Sequence, residues 1–178
     1  MCAEVLPIPS IDHLACHRVA TMLPMVYIET SVISYLTARP SRDLVTAAHQ
    51  RLTLEWWAHI RPAFTSVVSE LVVQEAALGD PELATRRLGA LDGLPILAVT
   101  VAGRELARSL LQESAIPENA IADALHIAIA AEHRSAYLLT WNCKHIANAR
   151  ARHAIERTLR AAGYDPPILC TPEELRDR

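Results

Sequence analysis

The stretch Asn119–Asn142, NAIADALHIAIAAEHRSAYLLTWN, decides how the rest of the chain is read. From Ala120 to Ala131 nearly every residue is apolar, and only Asp123 and His126 interrupt the run. Apolar character sustained over that length predicts a helix buried on most sides rather than an amphipathic surface helix. A carboxylate in such a helix must give up water while keeping its charge, which is tolerable only beside a metal ion, a cation or several hydrogen-bond donors. The helix is followed by Ala136–Thr140, an apolar run of strand length that stops at Trp141 and Asn142. A helix opening on an acid and a strand closing on polar side chains bring polar groups to one edge of an α/β sheet, where open α/β folds place their ligands.

Upstream of this stretch, Val26-Tyr27-Ile28 reads as a first strand ending at Glu29, with Thr30 and Ser31 as candidate caps of a short helix through Leu36. Ser41 can cap a longer helix to about residue 60, in which Leu44, Ala48, Leu52 and Trp56 recur at helical spacing. Ala63–Thr65 forms a second short strand. Ser66–Leu78 reads as helix ending at Gly79, and Asp80-Pro81 starts another helix to about Leu91. Pro95–Val99 is a third strand, and a helix follows from about Val101 to Leu111. Downstream, a helix spans about Ile146–Ala162, and Ile168–Cys170 is a fifth strand. Strands alternating with helices predict a parallel sheet covered on both faces.

At 178 residues and 51% hydrophobic content the chain suits one domain with an ample core. The net charge of −3 does not mark a nucleic-acid binder, yet all of the 17 basic residues except Lys144 are Arg, the side chain suited to bidentate contact with phosphate or carboxylate. Cys2, Cys16, Cys143 and Cys170 have neither CxxC nor zinc-like spacing, so reduced thiols in a cytoplasmic protein are expected. No stretch reads as spanning a membrane. Residues 1–24 carry Asp12, His13, His17 and Arg18 where a signal peptide needs an uninterrupted apolar core. They read as a loosely ordered or non-native extension, with Met25 a candidate translation start and 25–178 a single domain.

Three acids stand out by position. Glu29 directly follows an apolar strand, Glu75 lies in a helix, and Asp123 begins the buried one. Helical angles put Glu75 near Val68, Leu71 and Val72, although Glu70 is similarly flanked by Val67, Val73 and Ala77, so periodicity leaves both open. Plainer readings exist for each: Glu29 beginning a turn or favouring a helix N-terminus, Glu75 solvated, Asp123 capping its helix. His126, three residues after Asp123 and on the same side, is read as a structural histidine more readily than as a ligand. Arg150, Arg152, Arg157 and Arg160 track an RNA backbone or, with Glu156 among them, form a solvated face. The adjacent Trp56 and Trp57 point in different directions on a helix, leaving one of them for another chain.

Four separated motifs in order carry a family likeness. They are Val26-Tyr27-Ile28-Glu29-Thr30-Ser31, Glu75 with Gly79 four residues on, Asp123-Ala124-Leu125-His126-Ile127-Ala128, and Leu138-Leu139-Thr140-Trp141-Asn142. Over about Met25–Cys170 the chain resembles the PIN-domain ribonucleases, particularly the VapC-like toxins of type II toxin–antitoxin systems. The resemblance favours Glu75 over Glu70. It implies a three-layer α/β/α sandwich with a mainly parallel central sheet of four to five strands. It also implies an endoribonuclease in which clustered carboxylates hold Mg²⁺ or Mn²⁺, which activates water and stabilises the leaving oxygen of an RNA phosphodiester. Glu29, Glu75 and Asp123 are then metal ligands, Asn142 an auxiliary ligand or donor, and Thr30, Ser31 and Thr140 the groups that orient them. The partners implied are RNA, an antitoxin protein and a second copy of the chain. Two positions depart from the family pattern: Glu29 stands where Asp is usual, and Asn142 where an acid is usual. Both keep oxygen ligands, but Glu29 repositions its oxygens by one methylene and Asn142 brings no negative charge, so together they disfavour occupancy of a second metal site.

The alternative to an enzyme is a degenerate, non-catalytic PIN domain that binds RNA or a protein. A nucleotide switch is disfavoured, since the five glycines form no phosphate loop, and an aspartyl phosphatase is disfavoured by Glu29 itself.

Overall fold

The computed structural model describes residues 22–176, so the expectation for the extension lies almost wholly outside them. Five strands form one all-parallel sheet: β1 (Met25–Ile28), β2 (Thr65–Ser69), β3 (Ile96–Leu97), β4 (Tyr137–Leu139) and β5 (Ile168–Cys170), in the order β3-β2-β1-β4-β5. Seven α-helices connect them: α1 (Thr30–Thr37), α2 (Leu44–Glu55), α3 (Glu70–Ala76), α4 (Pro81–Ala90), α5 (Val101–Gln112), α6 (Ile121–Glu132) and α7 (Ala149–Ala161). Helix α1 packs on α2, α3 and α4, whereas α5 packs on α6 and α7. Right-handed crossovers account for the two groups: the chain winds outward from β1 to β3, then returns past β1 to add β4 and β5 on the other side. The result is the PIN-like α/β/α sandwich. The order reverses between β1 and β4, the place where doubly wound sheets open a crevice at the strands' carboxyl ends.

Burial explains the central strands. Val26, Tyr27 and Ile28 are all fully buried, as are Leu138 and Leu139, because a parallel sheet covered on both faces has no wet side and needs no polar alternation. Their register, Val26 opposite Tyr137 and Ile28 opposite Leu139, lets Glu29 N–H donate to the Leu139 carbonyl at 3.0 Å. Helix α6 is the most buried helix of the core, with Ala124 and every residue from His126 to Ala131 inaccessible.

Several boundaries differ from the expectations. Residues 66–69 are strand rather than helix: the run Ser66-Val67-Val68-Ser69 fits either period, and pairing of β2 with β1 settles it. Ser69 then caps α3, accepting from Val72 N–H at 3.3 Å. Thr30 and Ser31 do not cap α1, because their hydroxyls are spent on carboxylates. Asp43, not Ser41, caps α2 by accepting from Thr46 N–H at 2.8 Å, and α2 passes into a π-helical turn at Trp56–Ile60. Asn148 caps α7, which starts at Ala149 rather than Ile146. Gly79 does close the α3 region as read, at φ +85°, where a side chain would be strained. Trp56 enters the core, while Trp57 is half-buried with the Arg61 guanidinium 4.6 Å from its ring centre. Cys143 and Cys170 are free thiols, and burial pushes that of Cys170 up to about 12. No described helix is long and apolar enough to cross a membrane.

Leu138 is fully buried in the strand beside β1. Leu138→Ala is expected to cost about 2–5 kcal/mol in urea unfolding while leaving the far-ultraviolet circular dichroism unchanged.

Candidate metal centre

Glu29 is the residue at which β1 becomes α1, and only 6% of it is exposed. Its side chain does not cap α1. Oε2 instead accepts from the Thr140 hydroxyl at 2.7 Å and from the Ser31 hydroxyl, while Oε1 faces His126 Nε2 at 3.9 Å. Thr140 leaves β4 fully buried, and Ser31 also accepts from Trp141 N–H at 2.8 Å. The two strand ends at the reversal point are thereby laced together by hydroxyls.

Glu75 comes from the last turn of α3, with its side chain 27% exposed. It accepts from the Thr30 hydroxyl, and its Oε2 lies 3.0 Å from His126 Nε2. Burial alone would raise its carboxyl pKa, but the hydrogen bond and charge of His126 and the Thr30 hydroxyl outweigh burial and hold it below the ordinary carboxylate value. His126 is itself 1% exposed, and its Nδ1 lies 2.7 Å from the Tyr27 hydroxyl, which lies 2.7 Å from Ser69 Oγ. One ligand atom from each of Glu29, Glu75 and His126 falls within 4.8 Å of the others.

Asp123, one turn before His126 on α6, has two partners of its own. Asn142 Nδ2 donates to Oδ1 at 2.9 Å, and His145 Nδ1 lies 2.7 Å from Oδ2. Asn142 N–H donates to Thr140 Oγ1 at 2.8 Å, so Asp123, Asn142, Thr140 and Glu29 are linked in one continuous chain of hydrogen bonds. Among the described residues, the ion-pair partners of Glu29, Glu75 and Asp123 are all histidines. Three carboxylates without a Lys or Arg partner, two oxygens and an imidazole nitrogen converging, make a donor set that suits a divalent cation.

Glu29, Glu75, Asp123 and Asn142, with Thr30, Ser31 and Thr140, all take part in these contacts at one edge of the sheet. Glu70 does not: it is exposed in the first turn of α3 and accepts from Val99 N–H at 2.9 Å. The argument for Glu75 from Val68 fails, since Val68 is on β2, and only Leu71 and Val72 remain as helical neighbours. Sequence reasoning placed His126 among structural residues and missed Tyr27 and His145. The available signals were spacings: Tyr27 two residues before Glu29 on a strand, and His145 three residues after Asn142. Of the four arginines considered for RNA, Arg152 donates to the Leu169 carbonyl at 2.9 Å and Arg160 pairs with Glu156, while Arg150 and Arg157 are exposed.

Because the folded-state pKa of Glu75 lies below its unfolded value, its ionised form contributes stability above the ordinary carboxylate range, and that contribution is lost as pH falls through the folded value. In EDTA-treated protein the stability advantage of wild type over Glu75→Gln, read by urea unfolding, should therefore shrink as pH is lowered from about 6 to about 3.

Neither a family model nor a curated protein sequence matches the chain. Solved structures do. A toxin–antitoxin complex from Klebsiella pneumoniae contains a chain 22% identical to this one with a TM-score of 0.50, the match covering 71% of this chain and 93% of that one. VapBC2 from Rickettsia felis, bound to a DNA fragment from its promoter, matches at 18% identity and a TM-score of 0.47 over 83% and 98% of the two chains. VapC20 of Mycobacterium tuberculosis, a toxin that cleaves the sarcin–ricin loop, matches at 17% and 0.47 over 64% and 86%. At such identities the likeness is one of fold, and the chain has the PIN-like fold that it shares with a chain of the Klebsiella toxin–antitoxin complex.

Proposed function

We propose that the protein is a divalent-metal-dependent endoribonuclease and the toxin of a toxin–antitoxin pair. The observation that carries this reading is the convergence of Glu29 and Glu75 with His126 at the reversal point of the sheet, with Asp123 tied in through Asn142 and Thr140. Buried carboxylates without Lys or Arg partners are costly unless a cation completes them. Glu29, Glu75 and Asp123 would hold Mg²⁺ or Mn²⁺, directly or through water, with Asn142 as an auxiliary oxygen. The bound ion would supply a nucleophilic water at neutral pH and charge stabilisation for the phosphodiester.

The chain's own contribution is orientation. Ser31 and Thr140 fix one oxygen of Glu29, Thr30 fixes Glu75, and Asn142 and His145 fix Asp123. Beside His145 a cleft of about 570 Å³ opens, lined by Lys144, Asn148 and Arg150 and by Glu118 as well, and its two cations give an RNA backbone points of contact near Asp123. The Klebsiella structure that shares the fold is a toxin–antitoxin complex, which supports an antitoxin protein as a partner here. A cytoplasmic location and a homodimer accord with that role.

One observation favours a second reading. Both oxygens of Asp123 already have protein partners, which suits a degenerate, non-catalytic domain that binds RNA or a protein without cleaving it. A single experiment separates the two. The enzyme reading expects RNA cleavage that requires Mg²⁺ or Mn²⁺, stops with EDTA, and falls in folded Asp123→Asn or Glu29→Gln by more than the roughly 10–100-fold that loss of an outer partner costs. RNA binding without cleavage at any metal concentration would establish the second reading. In either case Lys144→Ala with Arg150→Ala should weaken RNA binding and flatten its dependence on log salt concentration by about 0.7 per residue removed.

A further inference from the structure

We propose that His126 is a nitrogen ligand of the ion held by Glu29 and Glu75, and that this nitrogen makes the site prefer Mn²⁺ over Mg²⁺. The inference rests on the metal-dependent reading above and adds to it a ligand and a metal class.

Position is the first ground. His126 Nε2 is 3.0 Å from Glu75 Oε2 and 3.9 Å from Glu29 Oε1, and the three ligand atoms are mutually within 4.8 Å. Ligands bound at about 2.1 Å to one ion stand about 3–4 Å apart, and both distances from His126 Nε2 to the carboxylates have that spacing. A histidine serving only the core would direct its ring nitrogens to backbone or hydroxyl groups. This one directs Nε2 to two carboxylates that no Lys or Arg accompanies.

The second ground is the arrangement behind the ring. Ligating histidines are held by a partner on the other nitrogen, which fixes tautomer and orientation. Tyr27, fully buried on β1 and two residues before Glu29, presents its hydroxyl to Nδ1 at 2.7 Å. Two residues along a strand share a face, so the same strand supplies one carboxylate and the support of the imidazole. With the imidazole proton on Nδ1, the Tyr27 hydroxyl would accept from it and donate onward to Ser69 Oγ at 2.7 Å, and the Nε2 lone pair would be left for an ion bound by the carboxylates. Ser69 caps α3, the helix that carries Glu75. The Ser69–Tyr27–His126 relay therefore positions all three ligand groups from behind.

Metal preference follows from ligand type. Mg²⁺ demands oxygen donors and keeps several waters, whereas first-row transition ions accept imidazole readily. Among them Mn²⁺ is the one that, like Mg²⁺, suits carboxylate and water oxygens, so a site of two carboxylates and one imidazole fits it better than Mg²⁺, and it reports its ligands by electron paramagnetic resonance.

The test uses the full chain and the metals alone. Pulsed electron paramagnetic resonance of Mn²⁺-loaded wild type is expected to show nitrogen modulation from a coordinated imidazole, and calorimetry to show Mn²⁺ bound at least about 10-fold more tightly than Mg²⁺. In His126→Gln the modulation should vanish and Mn²⁺ affinity fall about 10–100-fold with Mg²⁺ affinity little changed. In Tyr27→Phe the modulation should persist with Mn²⁺ affinity lowered about 10-fold. Mn²⁺ bound without nitrogen modulation, or an unchanged Mn²⁺ to Mg²⁺ ratio in folded His126→Gln, overturns the inference while leaving an all-oxygen metal site. Failure of wild type to bind either ion overturns the metal-dependent reading as well. Should His126→Gln not fold, the wild-type spectrum alone decides.

Discussion

The constraint on which the rest depends is the burial of the Glu29 carboxylate. A carboxylate deprived of water is tolerated only where donors or positive charge replace what water supplied. Here two hydroxyls from different parts of the chain, Ser31 and Thr140, do much of that, and each bond to a charged oxygen contributes about 1.5–3 kcal/mol. Those bonds form only if β1 and β4 are neighbours in the observed register, with both strands ending at the same level. The strand order, the polar strand ends and the buried α6 that brings His126 beneath the acids are therefore coupled requirements rather than independent features.

Most of this was legible because the signals were either long or chemically odd. The apolar run of α6 exceeded what a surface helix carries, and an acid directly after an apolar strand is conspicuous. What was not legible failed for physical reasons. Val67-Val68 satisfies helix and strand patterns alike, and only lateral pairing with β1 decides for strand. Ser31 and Thr30 look like helix caps, since capping and carboxylate binding use the same short hydroxyl. The bonds of Asp123 to Asn142 and His145 depend on how the segment after β4 folds back, which spacing in the chain does not encode.

The two positions at which the chain departs from the motifs it resembles acquire a geometric sense. Glu29, longer by one methylene than the usual residue, is long enough to meet Thr140 with one oxygen while presenting the other toward His126. Asn142, neutral where an acid is usual, donates to Asp123 instead of repelling it. Substituting an amide for a carboxylate there exchanges charge for order, and the site keeps one fewer negative group than the motif would otherwise bring.

The uneven exposure of the acids gives the centre a direction. Glu29 and His126 are the floor, with 8% and 1% of their side chains exposed, whereas Glu75 and Asp123 keep 27% and 18% of theirs open to solvent. A solute diffusing in from solvent meets the outer pair first and the inner pair last.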